Sequence, residues 1–302
     1  MLLRATATTP SASPPPLLEQ RRGEQHFSFP PYFHGRSRAS LRFATLAHPC
    51  AAEGGGVADG VVCVKRMKLS IIIPILNEAP QLRETLEPLR ALQARGHEII
   101  IVDGGSSDSS TAIAHQFTDH VIDSARGRAR QMNAGAAVAR GDVLLFLHAD
   151  TRLPEPAHLL IVGALRNDKN LWGRFDVRLS GSQVLLRVVE ALMNRRSRMS
   201  SIATGDQAIF VRRAVFNQVG GYPDIPLMED IALCKLLKRM ARPVNLSARV
   251  VTSSRRWEQH GIIRTILLMW RMRLAYALGA SPHRLALLYR QKSPCDSRPP
   301  TF

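Results

Sequence analysis

Residues Gly141 to Arg152 read GDVLLFLHADTR. Val143 to Leu147 is apolar without alternation, which fits a strand covered on both faces. The run ends in His148 and Asp150, two side chains able to bind a metal. Alternate residues of a strand share a face, so His148 and Asp150 are expected to project together, with Ala149 opposite. Strands of this kind in open α/β sheets present their carboxyl ends to ligands. The pair is therefore a candidate divalent-metal site at a cleft. Taken alone, the same residues read equally well as a turn cap before Pro154 and a packed core histidine.

The sequence upstream supplies the companions such a strand needs. Leu69 to Ile75 (LSIIIPI) reads as a buried first strand, followed by a turn at Leu76, Asn77 and Glu78. No glycine-rich fingerprint follows it, which argues against a dinucleotide-binding fold or a P-loop. Leu82, Leu86 and Leu89 recur at helical spacing, with a kink expected at Pro88 and a stop at Gly96. Ile99 to Val102 reads as a second buried strand delivering Asp103. The segment Asp103 to Ser110 (DGGSSDSS) reads as a tight loop, with Asp108 capping a helix that contains Ala112, Ile113 and Phe117. Val121 and Ile122 make a short strand. Ser124 to Arg140 follows with four arginines, of which Arg128 and Arg140 read as solvated helix positions. In the same segment, QMNAGA supplies small residues for close approach of helix to sheet. The alternation of strand and helix predicts a parallel α/β sheet.

Beyond Asp150 the expectations are a helix over Leu159–Leu165, an alternating strand over Trp172–Leu179 and a helix over Val184–Met193. A loop rich in glycine and proline (GGYPDIPLMED) then brings Glu229 and Asp230 to the start of a helix, where the dipole favours acids whatever their role. The last third holds SSRRWEQHG and IIRTILLMWRMRLAYALGA. Arg264 and Arg271 share a helix face while Arg273 falls roughly opposite. That helix either packs on the domain or lies in a membrane interface.

The formal charge is +17, and residues 1–66 hold eight Lys/Arg against four Asp/Glu, so +13 belongs to the remainder. Such a field attracts nucleic acid, anionic lipid and phosphate-bearing substrates alike. Aromatic residues are only 6% and do not interleave with the arginines, which argues against a nucleic-acid partner. Cys50, Cys63, Cys234 and Cys295 show no zinc-ligand spacing and suit a reducing compartment. No continuous apolar run is long enough to span a bilayer. Residues 1–66, with no acid in the first eighteen, read as an organelle transit peptide, and a plastid is the expected address. Without that address the chain reads as cytoplasmic or membrane-peripheral. Residues 67–292 read as the folded domain and 293–302 as a tail.

From Met67 to Arg290, the pieces IIIPILNEA, IVDGGSSDSS, GRARQMNAGA, LLFLHADT, GRFDVRLSG, TGDQAIFVRR, PLMEDIAL and SSRRWEQHG occur in order. In that order and spacing they resemble family 2 glycosyltransferases of the GT-A fold, and within them the radical-SAM/selenodomain-associated transferase 2 subgroup. The resemblance implies a doubly wound, mainly parallel sheet with flanking helices and a helical C-terminal segment. It also implies an inverting transfer of a sugar from a nucleoside diphosphate to a hydroxyl acceptor. Pro74, Asn77, Glu78 and Asp103 match the nucleoside pocket, and Arg126 and Arg130 match the region near the diphosphate. His148 and Asp150 match the metal motif, with His in place of its first Asp. Asp230 matches the catalytic base, with Glu229 beside it for capping or acceptor orientation. Arg256 and Trp257 resemble an Arg-Trp pair of some members, and Ser253 stands where those members carry Gln.

The chemistry agrees with this inventory. A departing diphosphate needs its charge neutralised, which Mg²⁺ or Mn²⁺ and arginine can do. An imidazole beside a carboxylate leans towards Mn²⁺. The basic C-terminal segment, with eight Lys/Arg and one acid from Ser253 to Lys292, also points to peripheral membrane contact. The rival readings are a nucleotidyltransferase, a sugar-nucleotide-binding protein without transfer activity, and a basic membrane-surface module.

Overall fold

In the computed structural model, which describes residues 67–291, the long apolar runs become strands because each lies between two layers of helices. The chain runs β1 (Leu69–Ile75), α1 (Ala79–Leu86), α2 (Arg90–Ala94), β2 (Glu98–Asp103), α3 (Ser110–Ala114), β3 (Val121–Asp123), α4 (Arg128–Val138) and β4 (Val143–Phe146). It continues with β5 (Thr151–Arg152), α5 (Ala157–Leu165), β6 (Trp172–Leu179), α6 (Val184–Ser200), β7 (Phe210–Arg212) and α7 (Arg213–Gln218). It closes with α8 (Glu229–Met240), β8 (Val244–Thr252), α9 (Arg255–His260), α10 (Ile262–Ala277) and α11 (Pro282–Gln291). The strand order is β3-β2-β1-β4-β7-β6-β8-β5.

Strands β3, β2, β1 and β4 are mutually parallel, as the alternation predicts. Their alternate residues separate into two cores. Ile71, Ile73, Ile99, Ile101, Val143 and Leu145 face α1, α2 and α5. Ile72, Ile100, Val102, Leu144 and Phe146 face α4, α7 and α8. A strand buried on both sides must be apolar throughout, which is why these runs lack alternation. Pro74 is accommodated because the β1–β4 ladder ends at Ile72, two residues before it, so the N–H it lacks is not needed on that side.

The second half is mixed. β7 runs antiparallel to both β4 and β6, and β8 is parallel to β6 but antiparallel to β5. The expected alternation of Trp172–Leu179 is absent, since all but Arg178 are buried. Arg174 is completely buried and forms an ion pair with Asp176, which in turn accepts from Arg198 Nη2 at 2.6 Å. Ser247 and Ala248 of β8 are the extra residues of a bulge opposite Phe175/Asp176.

Other local expectations match. The first helix breaks into α1 and α2 around Pro88, and α4 lies close on the sheet at Gly135, where a Cβ would come within 2.5 Å of Ile72 Cγ2. The helix begun at Val184 runs on to Ser200, beyond the expected Met193. Residues 1–66 and 292–302, with the transit-peptide reading, the tail, Cys50, Cys63 and Cys295, lie outside the described residues. Among the described residues, Cys234 is a free, buried thiol, and no helix is long and apolar enough to cross a membrane.

Candidate active site

The strand expected to carry His148 and Asp150 stops short of them, although both are part-exposed while Ala149 between them is buried in the core. β4 ends at Phe146, and residues 148–151 form a turn closed by the Thr151 N–H donating to the His148 carbonyl at 3.1 Å. His148 turns towards the segment after α6. Its Nδ1 lies 3.2 Å from Asp206 Oδ1, and its ring packs over Gly205, where a Cβ would fall 2.2 Å from Nε2. Gly205 is thus the residue that permits this contact. Asp150 takes one long hydrogen bond from Thr151 Oγ1 at 3.3 Å, and its charge faces Glu78 and Arg128. Among the described residues, no three His, Cys, Asp or Glu side chains are arranged to hold a metal by themselves.

The first wall of the cleft is made where the β1 and β2 ends meet. Asn77, in the left-handed region at φ 55°, accepts from the Ser107 N–H at 2.8 Å, while its own N–H donates to Ser106 Oγ at 3.0 Å. Asp103 is buried and accepts from the Ser106 N–H and Oγ, at 3.0 Å and 2.5 Å. Asp108 stands one residue before the N-cap, Ser109, and accepts from the Ser110 N–H at 2.9 Å and from the Ala79 N–H at 3.2 Å, while α3 ends at Ala114, short of the expected Phe117. The two loops are therefore laced into one surface. Glu78, at its edge, has its pKa raised by burial and by the charge of Asp150.

The opposite wall is the N-terminus of α8. Asn133 of α4 clamps the preceding loop, accepting from the Tyr222 N–H at 2.9 Å and donating to the Tyr222 carbonyl at 2.8 Å. Met228 then adopts φ 68°, an uncommon conformation for a side chain of this size, immediately before Glu229. Asp230 Oδ2 accepts from the Gly205 N–H at 3.0 Å, which ties α8 to the turn that carries Asp206. Burial and the neighbouring Glu229 raise the Asp230 pKa to about 6. That is a value at which a carboxylate can take up a proton near neutral pH.

Charge compensation comes from residues that the sequence does not single out. Arg128, read as a solvated helix position, faces Glu229, Asp206, Asp150 and Asp230. Its residue surface is exposed, as a solvated position should be, and the partial desolvation that opposes its charge at the cleft is more than offset by these four carboxylates, which raise its pKa. For Asp206, whose side chain is 43% exposed, partial desolvation works against the charge, and the His148 hydrogen bond with Arg128 and Arg256 holds the pKa below the usual range. Asp206 went unassigned. The available signal was its position after Gly205 in Thr204–Gln207, a turn in which Gln207 Oε1 accepts from the Thr204 N–H at 3.2 Å.

The remaining sequence-predicted residues divide between the cleft and its supports. Arg130 pairs with Asp224 at 2.9 Å and so holds the loop before α8, while Arg126 is exposed at the start of the same segment. Arg256 lies over the Tyr289 ring at 5.0 Å, and its charge also reaches Asp206. Trp257 packs against Leu179, Leu186, Val189 and Ile262. Ser253 donates its N–H to the Asp150 carbonyl at 3.2 Å, so the segment before α9 is docked on the His148–Asp150 turn.

Comparison with protein families matches residues 70–217 to the family described as Glycosyl transferase family 2. The match covers just under half of the chain, within the α/β domain described above. The domain and its flanks are similar to the probable glycosyltransferase YdaM of Bacillus subtilis, 27% identical over 236 residues, covering 70% of this chain and 55% of that protein. A PGL/p-HBAD biosynthesis glycosyltransferase of Mycobacterium bovis is 30% identical over 177 residues, covering 51% of this chain and 62% of that protein. The chain thus spans between about half and two thirds of the length of these relatives. Among solved structures, S. aureus TarS 1–349 matches with a TM-score of 0.52 at 18% identity, over 62% of this chain and 61% of that one. That match shows the GT-A fold.

Proposed function

We propose that this protein transfers a glycosyl group from a nucleoside-diphosphate sugar to a hydroxyl acceptor, with inversion at the anomeric carbon. On this reading it is a member of the radical-SAM/selenodomain-associated transferase 2 subgroup. The observation that carries the reading is Asp230. It is a carboxylate with its pKa at about 6, fixed by the Gly205 N–H, at a cleft whose other occupant is the cationic Arg128. A base and a cation at one cleft are what displacement of an anionic leaving group requires. S. aureus TarS, which shares the fold, has been crystallised with UDP-GlcNAc, in keeping with a donor of this class.

In the proposed reaction Asp230 removes the proton of the acceptor hydroxyl as its oxygen bonds to the anomeric carbon. The bond from that carbon to the diphosphate oxygen breaks on the opposite face, and its electron pair leaves with the diphosphate. Arg128 neutralises the charge that develops there. Asn77, Glu78, Asp103 and the backbone around Pro74 form the wall assigned to the nucleoside. Arg126, Arg130, Arg256 and Trp257 are assigned to the rim, where Arg130 and Trp257 act by holding neighbouring segments.

A single hard carboxylate with free lone pairs suits Mn²⁺ or Mg²⁺ that takes its other ligands from phosphate oxygens, and Asp150 meets that description. The bound cation would supply Lewis-acid stabilisation of the leaving diphosphate. His148 fits the role less well as a direct ligand, because its Nδ1 is engaged by Asp206 and its Nε2 lies against Gly205. Residues 1–66 are assigned to organelle targeting, with a plastid as the proposed address.

The test is a panel of sugar nucleotides incubated with candidate hydroxyl acceptors, with released nucleoside diphosphate and the anomeric configuration of the product as readouts. Release of nucleoside diphosphate with an inverted product supports the proposal. A retained configuration would overturn the single displacement, and the absence of both turnover and donor binding across the panel would overturn the donor class.

A further inference from the structure

Two neighbouring helices carry apolar stripes that no other described residue covers. α10 buries Ile262 and Met272 against the domain, yet Ile263, Leu267, Trp270, Leu274 and Leu278 run along another side, with Trp270 64% and Leu278 80% exposed. At about 100° per residue these five fall within a stripe roughly 80° wide, bordered by Arg264 and Arg271 on one flank and Arg273 on the other. The sequence pattern looked imperfect because the helix has two apolar faces with arginines at the seams. α6 packs against α10 through Leu186 and Val189, which join Ile262 in one cluster. It repeats the arrangement, with Val184, Val188, Leu192 and Met199 all exposed at helical spacing and Arg195 among them.

Soluble monomers seldom leave apolar surface of this kind uncovered. Charge decides what covers it. From Gly261 to Gln291 the sequence contains Arg264, Arg271, Arg273, Arg284 and Arg290 and no Asp or Glu. On α6, Arg187, Arg195, Arg196 and Arg198 stand against a single acid, Glu190, which is buried. A second copy of the chain would oppose the same positive charge to itself. An anionic lipid surface complements it, because arginines at the edges of an apolar stripe reach headgroup phosphates while the stripe enters the acyl boundary.

We propose that α10 and α6 together form a membrane-facing surface that seats this protein on anionic lipid. The helices lie in the interface and do not cross it, in keeping with the absence of a spanning helix among the described residues. The sequence pointed to the C-terminal segment through positive charge set among apolar residues, whereas the exposure of the stripe and the involvement of α6 come from the structure. The proposal is independent of the transferase reading.

The full chain is tested by flotation with vesicles of phosphatidylcholine alone and of phosphatidylcholine mixed with phosphatidylglycerol. Binding is expected to the anionic vesicles only, weakening as salt rises. Trp270 emission should shift to the blue on binding, and the shift should vanish in Trp270→Phe. Leu267→Gln with Leu274→Gln changes only exposed positions, so the fold is expected to survive, and vesicle affinity should fall about tenfold or more. Arg264→Glu with Arg271→Glu should abolish the preference for anionic lipid. No binding to either vesicle, equal binding to both, or binding unchanged by the leucine pair would overturn the proposal. Sedimentation showing a dimer that the leucine pair dissolves would assign the stripe to a second copy, and no vesicle binding by the full chain would fit cover by residues 1–66. Either result would also overturn it.

Discussion

The Gly205 N–H donates to Asp230 Oδ2 at 3.0 Å, so the turn that carries Asp206 and the helix that carries the proposed base are fixed to each other. Asp230→Asn keeps one oxygen to accept from the Gly205 N–H, gives up the acceptor for the Ile231 N–H and removes the base. Turnover is expected to fall about 10² to 10⁴-fold, with donor affinity near wild type by calorimetry. Glu229→Gln should cost less. Turnover near wild type in Asp230→Asn together with collapse in Glu229→Gln would move the base to the neighbouring residue.

The same carboxylate should set the pH profile. With its pKa raised to about 6, Asp230 is deprotonated and competent above that value, so kcat/KM should fall as pH drops through about 6. Stability runs the other way. A raised carboxylate pKa means that folding favours the protonated form, so the ionised form destabilises the fold above about pH 6. Asp230→Asn is therefore expected to have a higher Tm than wild type at pH 8, with the gap narrowing towards pH 5. An equal gap at both pH values would show that the charge of Asp230 is not the source.

His148 and Gly205 should be coupled. In Gly205→Ala the new Cβ would fall 2.2 Å from His148 Nε2 and 2.5 Å from Cε1, so the imidazole must leave Asp206 or the turn must shift from Asp230. Lower turnover is expected, with His148→Ala in the same chain restoring part of it. The interaction energy of such a pair in contact should be about 0.5–3 kcal/mol. Strict additivity in the double-mutant cycle would contradict the packing described.

How much of this was legible follows from where each residue's partners lie. Leu69–Ile75, Ile99–Val102 and Val143–Phe146 could be read because burial on both faces leaves an unbroken apolar run. β8, VNLSARVVT, could not, because only Val250 and Thr252 are buried and a bulge interrupts its pattern. The placement of Glu229 and Asp230 at a helix start was legible from the glycines and prolines before them. Arg128 was not, since the carboxylates that give it a role come from three distant segments and no local spacing records that convergence. The strand end was not legible, since β4 stops at Phe146 and His148 and Asp150 stand beyond it, though the buried Ala149 still separates them as period two expects.

Metal dependence should follow Asp150. Asp150→Ala is expected to abolish turnover at any Mn²⁺ or Mg²⁺ concentration. His148→Ala should shift the metal requirement less, because its imidazole is held by Asp206. Titration of each variant with Mn²⁺, alongside wild type in excess chelator, is the measurement. Full wild-type activity in chelator would remove the metal from the mechanism.

Away from the cleft, Asp176 neutralises Arg174 inside β6, and its second oxygen accepts from Arg198 at 2.6 Å. Arg174 is fully buried, its Nη1 also donates to the Phe175 carbonyl at 3.1 Å, and its Nε has no partner. Burial lowers its pKa, and the bond and charge of Asp176 work against that fall. Asp176→Ala would leave a buried cation without its counterion, a change that typically costs about 3–5 kcal/mol. Replacing both partners by apolar residues, Arg174→Met with Asp176→Leu, removes the charge together with the need for a counterion. That pair should therefore be more stable than Asp176→Ala alone, since an apolar pair of similar volume often replaces a buried ion pair at little cost. Urea unfolding of the three proteins measures both effects. A loss below about 1 kcal/mol for Asp176→Ala, the ordinary value for an exposed pair, would mean that water reaches Arg174 and that the interior of β6 is not sealed.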